Sequence, residues 1–367
     1  MAIDKKIKKI PLISVIIPAY NCAEYIKKSV DSVLSQDFED IEIVVINDAS
    51  TDNTLDILNK NYKDDHRVII VSHYDNRKLG AARNTGIDVS RGKYLFFLDA
   101  DDWLRGGAIE HLVSIAEKHG VEMVACGIDK VWPGGRSERY HSEAFTCNGG
   151  KEALYHLIDY SIASIAWNKL YLREFIEKNH LRFAPDYYHE DVVFTMSAVY
   201  LCQKYISVDE SYCRYFQRDV SIVNSKPDVL HLKSYIILYL NMLDFIEQNK
   251  IDKDEQGKHI SMSLLKAHCS NDIIPKLLKY IDVNGVEKWK KDCEDACYSM
   301  IGIKGYAVAN FVIELINVES RYKDAKIRST ITTCLKNLIK RYLSFVVYGR
   351  LGKSLRKSYR AQRSKDY

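Results

Sequence analysis

Residues 94–102 read Tyr94-Leu95-Phe96-Phe97-Leu98-Asp99-Ala100-Asp101-Asp102. Five apolar or aromatic residues in a row fit a short strand covered on both faces. The acids at its end repel one another and lose hydration when buried, so they call for a compensating cation. An Mg²⁺ or Mn²⁺ ion takes one or two carboxylates and completes its shell with phosphate oxygens and water. Bound there, it would neutralise charge gathering on a departing diphosphate. The same acids also suit a loop that caps a helix beginning near Ala108, and the stretch alone leaves both readings open.

Outward from this stretch, strand and helix patterns alternate. Ile13-Ser14-Val15-Ile16-Ile17 is a β-branched run ended by Pro18. Residues 24–35 carry Ile26, Val30, Val33 and Leu34 at helical spacing. Residues 41–46 predict the next strand. Asp48-Ala49-Ser50-Thr51-Asp52 then supplies turn and N-cap chemistry for a helix through Leu55, Ile57 and Leu58. Residues 68–71 predict a third strand, 79–89 a helix, 108–119 another helix, and 121–126 a fifth strand. Short, non-alternating apolar strands separated by helices predict an α/β fold with an open, Rossmann-like parallel sheet. Ligands of such sheets bind beyond the carboxyl ends of the strands. The polar clusters Ala19-Tyr20-Asn21, Asn47-Asp48 and Asp99-Ala100-Asp101-Asp102 all fall there.

Two further clusters carry chemistry. Asp48 at a strand end can accept the N–H of a pyrimidine ring, or it can cap a helix, a task that Ser50 or Asp52 can also fill. Gly80-Ala81-Ala82-Arg83-Asn84-Thr85-Gly86 places a fixed cation near a helix start, where it suits either phosphate or the acidic cluster.

Taken in order, Pro18-Ala19-Tyr20-Asn21, Asn47 through Asp52, Gly80 through Gly86 and Asp99 through Asp102 resemble the signature of family 2 glycosyltransferases, over residues 12–221. The resemblance implies the GT-A fold and a nucleotide diphosphate sugar donor, with UDP the expected nucleotide. It implies nucleotide contacts at Pro18, Ala19, Tyr20, Asn21, Asp48, Arg83, Asn84, Asp99 and Ala100. It implies a bound Mn²⁺ or Mg²⁺ held by Asp101 and Asp99. Asn47 stands where Asp is frequent in the family and Ala49 where Gly is; neither removes Asp48.

A later block, Ile165-Ala166-Trp167-Asn168-Lys169-Leu170-Tyr171, then Arg182-Phe183 and His189-Glu190-Asp191, resembles the acceptor-side segment of bacterial polysaccharide transferases. By that resemblance Asp191 is the general base, with Glu190 the neighbouring candidate. An inverting displacement needs one such base to take the acceptor's proton. The two acids also suit the start of a helix over 192–205. Trp167 fits a sugar platform or a core position, and Asn168 and Arg218 are expected near acceptor or diphosphate. The resemblance extends to the segment 212–221, expected to close over the diphosphate.

Composition narrows the function class. With 47% hydrophobic residues in a chain of 367, a full core and two domains are expected. After about residue 228 strand patterns give way to helical ones over 229–248, 258–280, 306–318 and 322–347. The expected organisation is an extension (1–11), a GT-A domain (12–224), a helical domain (225–335) and a basic tail (336–367). The tail holds ten Lys or Arg against one acid, Asp366, so the net charge of +4 hides an acidic body. That asymmetry argues against nucleic-acid binding through a distributed basic face. The tail's apolar residues, among them Leu338, Ile339, Leu343 and Phe345, fit an amphipathic helix on an anionic membrane face or one docked on the protein itself.

Nine cysteines without a paired framework fit a reducing compartment, and Cys293 and Cys297 read as buried thiols rather than zinc ligands. The Lys-rich start lacks the apolar core of a signal peptide, and no run is long enough to span a membrane. A cytoplasmic enzyme, peripheral on the inner face of the cytoplasmic membrane beside a glycan or lipid-linked acceptor, is the expectation. A nicotinamide dehydrogenase would need a Gly-rich turn after the first strand, which Pro18-Ala19-Tyr20-Asn21-Cys22 is not. A non-catalytic sugar-nucleotide binder is the alternative, and the presence of Asp191 argues against it.

Overall fold

Ile13–Ala19 (β1) is buried along its whole length, and so is Ile41–Asn47 (β2). Such strands must be covered on both faces. A computed structural model supplies the covering elements. It describes residues 10–218 except 142 and 186, residues 228–268, and residues 279, 283–285, 288, 291 and 292. The expected helices over 306–318 and 322–347, and the basic tail over 336–367, lie outside the described residues.

The first part alternates as the sequence predicts. After β1 come Ile26–Leu34 (α1), β2, Thr54–Tyr62 (α2), Val68–Ser72 (β3), Lys78–Val89 (α3) and Tyr94–Phe97 (β4). These four strands form a parallel array in the order β3-β2-β1-β4. Pro18 is tolerated in a central strand because pairing with β4 stops before it: the last registered pair is Ile16 with Phe97. Helix α3 lies close on β1. A Cβ on Gly86 would stand 2.3 Å from Ile16 Cγ2, so the smallest residue is required at that contact.

The second part departs from the all-parallel expectation. Trp103–Leu104 (β5), Ala108–His119 (α4), Met123–Val131 (β6), Ser137–His141 (β7), Phe145–Asn148 (β8), Lys151–Ile158 (α5), Lys169–Leu172 (β9), Arg173–Lys178 (α6), Glu190–Leu201 (α7) and Lys204–Phe216 (β10) follow. The ten-stranded sheet continues β4-β9-β6-β10-β5, with β7 on β6 and β8 on β10. Strand β9 runs antiparallel to both β4 and β6, so the sheet is mixed. The helix expected over 192–205 ends earlier: Cys202 is extended, and Tyr205 joins β10 opposite Met123. The β-branched and aromatic residues around Ile206 favour a strand there.

The chain divides into two units, one of Met1–Ser225 with Ile251–Leu264, the other of Lys226–Lys250 with Leu265–Tyr367. In the second, Val229–Gln248 (α8) starts at an N-cap, where Asp228 accepts from the His231 backbone N–H at 3.0 Å. In the first, a 3₁₀ turn at Ile251–Lys253 leads into the start of Glu255–His268 (α9), whose residues from Leu265 on are assigned to the second, and Asp254 accepts from the Gly257 N–H at 2.6 Å. Among the described residues no helix is long and apolar enough to cross a membrane.

Candidate active site

The loop after β1 is tied to the loop after β2. Asn21 has a positive φ of 48°, and its side-chain oxygen accepts from Thr51 N at 2.8 Å. Ser50 Oγ accepts from Asn21 N at 3.1 Å, and Asp52 accepts from Ala23 N at 3.1 Å and Thr54 N at 3.0 Å. Ser50 and Asp52 thus take up the turn work, which leaves Asp48 out of helix capping. Ala49 sits at φ 56°, a left-handed conformation that explains why Gly suits this position. Tyr20 is 49% exposed and follows the registered pair Ala19–Asn47 by one residue, as Asp48 does on the neighbouring strand. Pro18 and Ala19 are backbone positions within β1.

Asp48 is 3% exposed. Its Oδ1 accepts from His73 Nδ1 at 2.6 Å and from Arg77 N at 2.9 Å. Sequence reading missed His73: a lone His in a short loop carries no pattern.

Arg83 joins the two halves of the sheet. It is 1% exposed, and one end of its guanidinium donates to Asp99 Oδ1 at 2.7 Å while the other is paired with Glu190. Its charged plane lies against the Phe183 ring, 5.2 Å from the centroid. Burial works against its charge, but Asp99, Glu190 and Asp191 outweigh that and raise its pKa. Of the two partners the sequence allowed, phosphate or acidic cluster, Arg83 takes the acidic cluster. Its neighbour Asn84 exchanges two hydrogen bonds with the Phe183 backbone, at 2.7 and 2.8 Å, and so holds α3 to the segment before α7. A Cβ on Gly80 would meet the Ala184 carbonyl at 2.4 Å, which marks the same close approach. Phe183 stacks on Phe194 with centroids 3.9 Å apart, and Phe97 meets both rings edge-on at 5.1 and 5.9 Å.

The acidic stretch after β4 divides its work. Asp101 forms an ion pair with Arg218 at 2.9 Å. Asp102 is 1% exposed; one oxygen accepts from Phe216 N at 2.9 Å and the other is buried without a partner among the described residues. Burial, then neighbouring acids, push both carboxyls upward, although Arg218 opposes this. Ala100, between Asp99 and Asp101, is buried. Asp99 and Asp101 are each paired with an arginine, yet with Asp102 they bring three acids to one loop, and Asp101 with Asp99 would hold a hard divalent cation beside donor phosphates. Among the described residues there is no group of three or more His, Cys, Asp or Glu positioned for a metal. Two carboxylates plus phosphate oxygens do not need one.

On the other side of Arg83, Glu190 and Asp191 open α7. Glu190 is 3% exposed; burial raises its pKa, and Arg83 tempers the rise. Asp191 is half-buried, and its carboxyl too is raised by burial against the pull of Arg83. A carboxylate raised in this way is a better proton acceptor than an exposed one. Trp167 is 6% exposed and tilts against Tyr215 with centroids 5.2 Å apart, a core placement. Asn168 donates to the Cys126 carbonyl at 2.9 Å. Lys169 is fully buried and donates to the Ala163 and Ile165 carbonyls at 2.8 and 2.7 Å and to Asn168 Oδ1 at 2.6 Å. Burial pushes its pKa down to about 7. A lysine with three acceptors and no exposure pins the 163–168 loop, a role its sequence position did not announce.

These loops converge at the carboxyl ends of β1, β2 and β4 and at the start of α7. Residues 14–179 match the family model described as glycosyl transferase family 2. That match covers less than half of the chain. Its fold is that of the GT-A class. EpsJ of Bacillus subtilis, described as an uncharacterized glycosyltransferase, is 32% identical over 218 residues, which is 58% of this chain and 63% of that protein. Chondroitin synthase of Pasteurella multocida is 46% identical over 107 residues, 29% of this chain and 11% of the synthase. The chain therefore spans less than two thirds of either relative. Among solved structures, residues 1–349 of S. aureus TarS in complex with UDP-GlcNAc align with a TM-score of 0.64 at 19% identity, over 93% of this chain and 92% of that one. That likeness is one of fold, and it extends beyond the family 2 domain.

Proposed function

We propose that this chain is an inverting glycosyltransferase that moves a sugar from a UDP-sugar donor to a hydroxyl of a glycan or lipid-linked acceptor during surface polysaccharide synthesis. The observation that carries the reading is the buried Arg83, paired with Asp99 on one side and Glu190 on the other. It links the loop suited to the leaving diphosphate with the helix start that bears the candidate base. Tyr20 offers a stacking face for the base, and Asp48 accepts the ring N–H. The acceptor hydroxyl oxygen attacks the anomeric carbon, and the bond from that carbon to the diphosphate oxygen breaks with its electron pair on the diphosphate. Asp191 takes the hydroxyl proton from the face opposite the leaving group, which inverts the anomeric centre. Arg218, beside Asp101, is positioned to accompany the diphosphate as it leaves. A bound Mn²⁺ or Mg²⁺ on Asp101 and Asp99 would supply Lewis-acid stabilisation of that leaving group. The basic tail supports an extension of the proposal to a peripheral position on an anionic membrane.

The experiment is a screen of sugar nucleotides for hydrolysis, with Mg²⁺ or Mn²⁺ and with excess chelator. The expected result is release of UDP from one or a few UDP-sugars, lost on chelation. Undiminished turnover in chelator overturns the metal assignment, and cleavage of no sugar nucleotide overturns the donor class.

A further inference from the structure

We infer that His73, oriented by Thr85, is a positioning residue that makes Asp48 selective for a base bearing a ring N–H. The inference rests on the proposed reading of Asp48 as the contact to the donor's base.

The side chains of His73 and Asp48 are 6% and 4% exposed, so each is held by its protein partners rather than by water. A carboxylate only accepts hydrogen bonds. The 2.6 Å contact therefore requires the proton on His73 Nδ1. Nε2 is then an acceptor in the neutral ring, and the Thr85 hydroxyl lies 2.9 Å from it, placed to donate. Thr85 belongs to α3, two residues from Arg83, so the imidazole is held from a rigid element.

Two donors, His73 Nδ1 and the Arg77 N–H, fall on the same oxygen of Asp48. They fix the carboxylate plane. Asp48 Oδ2 carries no protein hydrogen bond among the described residues, and it is left as the acceptor for a ligand. Asn76 donates to the Asp48 carbonyl at 3.3 Å, so the backbone is held as well. An ionised acceptor at this point suits uracil, whose N3 bears hydrogen. It opposes cytosine, whose N3 is itself an acceptor. Without His73, Oδ1 keeps only the Arg77 N–H and the carboxylate plane is freed, so the contact to uracil N3 weakens, while cytosine, which gains nothing from an acceptor there, is unaffected. The His73 contact therefore acts on discrimination, not only on affinity.

The test compares Kd for UDP and CDP by titration calorimetry in the presence of Mg²⁺, at one pH, for wild type, His73→Leu and His73→Asn. Thermal melts establish that each variant is folded. Asn places its amide N–H near the position of Nδ1–H and so keeps the donor. The expected result is a UDP:CDP affinity ratio reduced about tenfold in His73→Leu, with CDP binding unchanged, and restored to within about threefold in His73→Asn. Equal weakening of UDP and CDP in His73→Leu means a merely structural role and overturns the inference. So does an unchanged ratio. A wild type with no preference for UDP over CDP overturns the earlier reading of Asp48 itself, whatever the variants do.

Discussion

The two halves of the sheet differ in how they build their share of the site. On the side of β3-β2-β1-β4, each candidate residue follows its own strand: Tyr20 after β1, Asp48 after β2, Asp99 to Asp102 after β4. On the side of β9-β6-β10-β5, the candidates arrive by loops and a helix start, and β9 runs against its neighbours. The parallel half is local in sequence, and its ligand positions follow from strand ends alone. The mixed half depends on contacts between distant residues. Arg83 and Glu190 are paired across 107 positions. If the proposed reading holds, the comparison implies that donor chemistry and acceptor chemistry separate by mutation, except at the seam where Arg83 sits.

The largest expected effect tests that separation. Asp191→Asn keeps the shape and removes the proton acceptor. Transfer should fall by about 10²–10⁴-fold, while UDP affinity, which the proposed function assigns to the parallel half, stays within a few-fold. Product formation and calorimetric UDP binding measure the two. A transfer rate above a tenth of wild type would move the base to another group, with Glu190 the first to examine.

That contrast also describes what was legible. The strands of the parallel half, its polar ends and the acidic stretch 99–102 could be read from runs of β-branched residues and short motifs, though not the order in which the strands pair. Strands β5, β7, β8 and β9 could not: they have two to five residues each, and β7 is largely exposed. Strand β10 was absorbed in part by a helix assignment, because the apolar run of α7 continues through Tyr200 and Leu201 without a Gly or Pro to stop it. In the site, Asp48 and Asp191 stood out by position, whereas His73 and Lys169 did not. A buried lysine contradicts the usual expectation that Lys is exposed, and only its three acceptors explain it.

The next effect in size falls on the seam. Arg83→Met leaves Asp99 and Glu190 without their shared cation, and the loss of one partner in a buried pair costs about 3–5 kcal/mol. Chemical denaturation should show that loss, and both donor binding and transfer should suffer together. Loss of transfer alone, with stability intact, would mean that the halves are not coupled through this residue.

A smaller effect belongs to Lys169 in the mixed half. Its ordinary pKa of 10.5 falls to about 7 in the folded protein, so between those values the unfolded chain holds the extra proton. Its contribution to stability therefore rises with pH across that window. Lys169→Met removes it, so the variant's unfolding free energy should climb less steeply than wild type's. The difference in slope is at most about 1.4 kcal/mol per pH unit. Denaturation curves at several pH values measure it. Parallel slopes would show that Lys169 keeps its proton throughout and that its three acceptors hold it charged.

Strand β10 has a consequence for where this molecule can be cut. The family match ends at residue 179, yet β10, at Lys204–Phe216, lies inside the sheet between β6 and β5 and also carries β8. A fragment trimmed to the match would strip β6 of its parallel partner and leave β5 with none. It would also discard α7, and with it the Glu190 carboxylate that Arg83 needs. Raw strand edges of that kind invite pairing between molecules. The recognisable sequence unit is thus smaller than the cooperative one, and expression boundaries belong beyond Phe216.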